Sequence, residues 1–130
     1  MMTKEDHIAW WKSSSDDNWE TAIYLKNGRQ NLFALFAFNL VVEKLLKAHW
    51  VKENVSNHPP RTHDLNEIYQ QTELNLPFEQ VDYLNAINNW NIEDRYPDYK
   101  NKIQKQASDP YLQHHLEKLT DLRICLLERL

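Results

Sequence analysis

A single glycine, Gly28, in 130 residues is the feature that most constrains this fold. Hairpin turns, barrel corners and Gly-rich phosphate loops need residues that reach positive φ or admit a close backbone, and one glycine cannot supply them repeatedly. The chain is therefore expected to be all-α. Hydrophobic residues make up 42% and charged residues 26%, ordinary globular usage that excludes a disordered chain and, at this length, suits one core. A single domain over residues 1–130 is expected.

The lone Cys125 excludes an intramolecular disulfide framework and a cysteine zinc cluster. The start, Met-Met-Thr-Lys-Glu-Asp-His, carries acids where a signal peptide needs a basic and then an apolar stretch. The longest apolar run, Leu32 to Val42, is interrupted by Asn39 and closed by Glu43-Lys44, about half the ~20 residues that span a bilayer. A cytoplasmic protein without membrane contact is expected. The net charge of −4 gives no broad basic footprint for nucleic acid, although a local one is compatible with it.

Helix signals divide the chain. Thr3 with Asp6 resembles an N-cap arrangement, and Ile8, Trp11, Ser15, Trp19, Ala22 and Ile23 recur at three or four residues. Asn27-Gly28 reads as the stop, since both tolerate the left-handed conformation that ends helices, and Asn31 reads as the next cap. From Leu32 to about Val51 nearly every position is apolar, the composition of a central helix with core on several sides. His58-Pro59-Pro60 forces an extended loop, after which Thr62 or Asp64 restarts a short helix ending near Leu76-Pro77. Phe78, Val81, Leu84 and Ile87 give a fourth. Trp90 to Ser108 lacks a sustained period and reads as a long, candidate functional connection. Asp109-Pro110 reads as N-cap and first helical position of a last helix striped by Leu112, His115, Leu116, Leu119, Leu122, Leu126 and Leu130. The expected architecture is an antiparallel up-and-down bundle of about five helices.

None of the six histidines forms the i, i+4 pair that would seat one metal, so no metal site is expected. Arg61-Thr62-His63-Asp64-Leu65 places an arginine and a histidine at a helix start, where free N–H groups favour anions; a capping role for His63 and Asp64 is the plainer reading. Glu43 and Lys47 stand one turn apart on the most apolar helix, a pair worth only ~0.2–0.5 kcal/mol if exposed and in need of partners if buried. Arg95 could meet Glu43 or grip an anion through its planar fork, Tyr96 offers an aromatic face, and Lys100 begins the most basic stretch.

Trp19-Glu20-Thr21-Ala22, Val42-Glu43-Lys44-Leu45-Leu46-Lys47-Ala48, Arg61-Thr62-His63-Asp64-Leu65 and Asp94-Arg95-Tyr96-Pro97-Asp98, in that order, resemble the HEPN domain family over nearly the whole chain. The resemblance implies a helical bundle, commonly homodimeric, often encoded beside a small nucleotidyltransferase, and proposed to bind nucleotides or RNA. Many members are ribonucleases that use an arginine followed after four to six residues by a histidine. No arginine of this sequence has a histidine at that spacing, which removes the usual acid–base partner and points to a branch without catalytic residues.

Three functions follow as expectations. The first is a non-catalytic, dimeric module that engages a nucleotide or RNA phosphate, or a nucleotidyltransferase partner, through Arg61, His63, Arg95, Tyr96 and Lys100, without a cofactor. The second is a divergent metal-independent ribonuclease with His63 as base and Arg95 as phosphate stabiliser. The third is a toxin–antitoxin or partner-holding scaffold with no ligand of its own. Glu43, Lys47 and Asp64 are expected to be structural polar groups.

Overall fold

A computed structural model describes residues 1–92 and 96–130. The described residues form six helices and no strand: α1 (Lys4–Asn27), α2 (Asn31–Glu53), α3 (Leu65–Gln70), α4 (Phe78–Asn88), α5 (Pro97–Gln106) and α6 (Asp109–Glu128). Among them no helix is long and apolar enough to cross a membrane.

The start of α1 is the capping box that Thr3 and Asp6 predict. Asp6 N–H donates to Thr3 Oγ1 at 3.1 Å and Thr3 N–H to Asp6 Oδ2 at 2.9 Å, satisfying two otherwise orphaned donors. The turn to α2 departs from expectation at the residue that carries the strain. Gly28 has an ordinary φ of −85°, and Arg29 takes the left-handed conformation with φ 59°. Gln30 N–H then closes on Leu25 O at 2.8 Å, so the helix ends at Asn27-Gly28 as expected while the left-handed residue falls one position after the glycine. Asn31 is likewise the first residue of α2 and not its cap. Its side-chain amide donates instead to Ala107 O at 2.9 Å and Asp109 Oδ1 at 2.8 Å, joining the starts of α2 and α6.

The contacts fix direction. Lys4 Nζ donates to Val51 O at 2.7 Å and Asn54 O at 2.8 Å, Ser15 Oγ donates to Val41 O at 3.1 Å, and Trp19 meets Phe38 edge-on at 5.3 Å. Numbers that rise along α1 fall along α2, so these two are antiparallel. Lys4 thereby places its cation on the carbonyl end of α2, where both the helix dipole and the orphan acceptors favour it. Between α2 and α6 the order is parallel: Asn31 lies at Asp109, His49 at Leu126, and Lys52 Nζ donates to Arg129 O at 3.0 Å. α1 opposes α6 as well, since Asp16 pairs with Arg123 at 3.2 Å and Arg29 with Asp109 at 3.7 Å. The bundle thus rests on three long helices, α1 against a parallel α2 and α6, with α3, α4 and α5 carrying the chain back.

The core explains the pattern. α2 buries Ala34, Leu35, Phe38, Val41, Val42, Leu45, Leu46 and Val51, as its near-continuous apolar run requires, and α6 adds Leu112, Leu119, Leu122 and Leu126 from one stripe. Each such leucine contributes about 1.5–3 kcal/mol by leaving water. The segment expected as a long connection contains α5. That helix buries Ile103, with Tyr99 and the cap residue Ala107 packed on the core at the same interval of four, a stripe of three positions among charged and amide residues that is too short to sustain a period, and Pro97 at its first position marks its start. The last helix begins at Ser108, whose side chain accepts from Tyr111 N–H at 3.2 Å, one residue before the expected cap Asp109.

Candidate functional site

Because α2 is covered on several sides, Glu43 and Lys47 point into the protein, 4% and 7% exposed. One turn apart, they meet: Lys47 Nζ donates to Glu43 Oε2 at 3.2 Å. The Pro59-Pro60 loop carries the chain back across this turn, and His63 Nδ1 lies 3.0 Å from Glu43 Oε1. A carboxylate only accepts, so this nitrogen carries the hydrogen and donates. Both oxygens of a buried acid are thereby occupied by different donors. His63 itself is 41% exposed along its side chain, against 5% for Glu43, which makes it the outward end of an anchored chain of polar groups.

Asp64 secures that anchor from the other side. Its carboxylate caps α3 by accepting from Asn66 N–H at 3.0 Å and Glu67 N–H at 3.4 Å, and it also accepts from Asn88 Nδ2 at 3.1 Å. Asn88 Oδ1 in turn accepts from Leu65 N–H at 2.9 Å, so α3 and α4 are tied where His63 ends and the helix begins. Asn66 and Asn85 are hydrogen-bonded beside it. On the α1 side, Trp11 presents its ring 5.5 Å from Lys47 Nζ, a cation over an aromatic face. The neighbouring Lys44 donates to Ser14 Oγ at 2.7 Å; burial pushes its ammonium below the usual lysine range, against the opposing pull of Glu43 and Asp17.

A second polar cluster joins α4 and α6. Tyr83 Oη lies 2.6 Å from His115 Nδ1, Trp90 Nε1 donates to Tyr111 Oη at 3.2 Å, and Tyr111 packs on His115 at 4.3 Å. Burial holds the Tyr83 phenol above its ordinary value, so it stays protonated and donates to the imidazole. His115 is pushed down to about 4, chiefly by burial and further by His114 and Lys118. His49 is lowered for the same first reason, and its Nε2–H donates to Leu126 O at 2.8 Å. Both are neutral packing histidines that close polar gaps inside the bundle.

The structure gathers Glu43, Lys47 and His63 at one point, with Asp64 next in the chain. Arg61 is exposed two residues before His63. Tyr96, 84% exposed, and Lys100 belong to another element, the start of α5. Arg95 falls on residues 93–95, outside the described residues, and with it the expected pairing to Glu43. Among the described residues no group of three or more His, Cys, Asp or Glu side chains could hold a metal ion. The residues that sequence reasoning did not single out are Tyr83, Tyr111 and Trp90 around His115, and Trp10 and Trp11 beside the loop. A helical period sorts residues by face, and neither the pairing of His115 with another helix nor the meeting of α1 with the 54–60 loop leaves a mark in it.

A family model for the HEPN domain matches residues 8–123. No curated protein and no solved structure matches the chain.

Proposed function

The chain belongs to the HEPN domain family, and from that premise we propose that it is a non-catalytic module, dimeric in solution, that binds the phosphate of a nucleotide or of RNA. The observation that carries the reading is His63: half-exposed, oriented by the buried Glu43, and two residues from the exposed Arg61. A rigidly held imidazole and a guanidinium on one short loop suit a phosphate, which takes hydrogen bonds and charge from both. Arg95, Tyr96 and Lys100 are proposed to complete the ligand surface from the α5 side, and the large exposed side chains Tyr24, Phe33 and Phe78 favour association of two copies. The missing arginine-to-histidine spacing supports binding without cleavage. A nucleotidyltransferase remains the proposed protein partner, on the family's habit alone.

One geometric fact favours a second reading. A histidine whose Nδ1–H is held by a carboxylate has the tautomer of a general base, so a divergent ribonuclease built on His63 is the rival. Nuclease assays on structured and single-stranded RNA, beside nucleotide titrations at rising salt, separate the two. Binding that weakens steadily with salt, with intact RNA, supports the module. Metal-independent cleavage abolished by His63→Ala overturns it.

A further inference from the structure

We propose that the cleft between the first turns of α1 and the loop after α2 is a stacking site for a nucleobase. The inference rests on the phosphate reading of the neighbouring centre and deepens it: the ligand is a nucleotide, free or as an unpaired residue of single-stranded RNA.

The cleft has a volume of about 300 Å³ and is lined by Met2 ahead of α1, by His7, Trp10 and Trp11 from α1 and by Asn57, His58 and Pro59 from the loop. That size lies at the lower end of small-ligand pockets. Its walls are mainly rings, with Met2 and Pro59 as the aliphatic part and Asn57 as an amide. Trp10 is 54% exposed and stands edge-on to Trp11 at 4.9 Å. His7 and His58 stand edge-on to each other at 5.5 Å. These contacts hold rings from two elements in fixed planes while one indole keeps a wide face in solvent, the arrangement by which proteins stack unpaired bases irrespective of sequence. The wall also has an unused hydrogen-bonding atom. Asn57 Oδ1 is buried without a partner, and a turn of that amide toward a base would give it an exocyclic amine or a ring N–H as donor.

Position joins this cleft to the phosphate centre. Trp11 lines the cleft and also lies over Lys47, whose ammonium is paired to the Glu43 that orients His63. His58 and His63 are five residues apart on one loop, so their backbones are separated by no more than about 18 Å. The proposal seats a base at His58 and Trp10 and directs its phosphate toward Arg61 and His63.

Calorimetric titration with adenosine monophosphate, adenosine, inorganic phosphate and a short single-stranded adenine RNA tests the proposal, on the full chain and on Trp10→Ala, Trp10→Phe, His58→Ala and His63→Ala. The expected result is that Trp10→Ala weakens adenosine monophosphate about tenfold, that Trp10→Phe restores most of the loss, and that neither changes the affinity for inorganic phosphate. His63→Ala should weaken the three phosphate-bearing ligands and spare adenosine. Tighter binding of the single strand than of the mononucleotide assigns the base to RNA, and equal binding assigns it to a free nucleotide. If Trp10→Ala and His58→Ala bind the mononucleotide like the parent while His63→Ala does not, the stacking site is wrong and the phosphate reading stands. If Trp10→Ala splits a dimer and leaves nucleotide affinity intact, the cleft covers a second copy and the proposal fails. If no phosphate ligand binds any form, both readings fall together.

Discussion

His63 and His115 are both imidazoles hydrogen-bonded through Nδ1 to a side chain from another helix, and they end in opposite chemical situations. His63 meets a carboxylate, with 41% of its side chain in water. His115 meets a phenol, is 8% exposed, and is ringed by Trp90 and Tyr111. The carboxylate orients an imidazole that water and an anion can reach, whereas the aromatic enclosure disfavours the charged form of His115 and leaves it to the core. The difference comes from the element that carries each residue. An extended prolyl loop lifts His63 to the surface, whereas a position in the leucine stripe of α6 carries His115 inward.

The sharpest way to break this contrast is to remove the acid that anchors one side of it. Glu43→Ala leaves Lys47 buried and unpaired, and should lower unfolding stability by about 3–5 kcal/mol, readable as a shifted urea midpoint. A loss below about 1 kcal/mol would show that solvent reaches Lys47 and that the anchor is incidental. Next in size is the pH dependence of the other side. The folded protein holds His115 at about 4, below the ordinary histidine value of 6.5, and lowers His49 as well. The unfolded chain therefore binds more protons between these values, so stability is full above about pH 6.5 and falls as the pH drops toward about 4. In His115→Phe the slope of the denaturation midpoint across that window should flatten, with the share due to His49 left in place; an unchanged slope would remove His115 from the account.

Two smaller effects sharpen the frame around His63. Asp64→Ala removes the α3 cap and should cost about 1 kcal/mol, with phosphate affinity reduced because His63 loses its fixed neighbour. Arg29→Gly relieves the one left-handed non-glycine residue among the described residues and gives up an exposed 3.7 Å pair with Asp109. The net change should be a gain of up to about 1 kcal/mol, seen as a higher thermal midpoint.

These particulars also mark what the sequence made legible. The Thr3–Asp6 box, the central apolar helix, the prolyl break and the leucine stripe each have a local cause, so their residues announce them. Arg29 in the left-handed region and the capping by Ser108 depend on where the backbone closes its last hydrogen bonds, a matter of one residue that composition does not encode. α5 was hidden because its stripe, Tyr99, Ile103 and Ala107, is three positions long and diluted by lysines and glutamines. At the site, the Glu43–Lys47 pairing follows from spacing on a buried helix, whereas the closure of His63 onto Glu43 comes from the path of the loop, and spacing along the chain says nothing of it.

The imidazole of His63 is where the account can be tested most directly. Its nitrogen-15 resonances, assigned by loss in His63→Ala and followed while adenosine monophosphate or single-stranded RNA is added, should shift to saturation with an affinity that weakens as salt rises, while the RNA stays intact. Resonances that do not move at saturating ligand, or RNA that is cut in the same tube and spared by His63→Ala, would contradict a non-catalytic phosphate-binding role for this histidine.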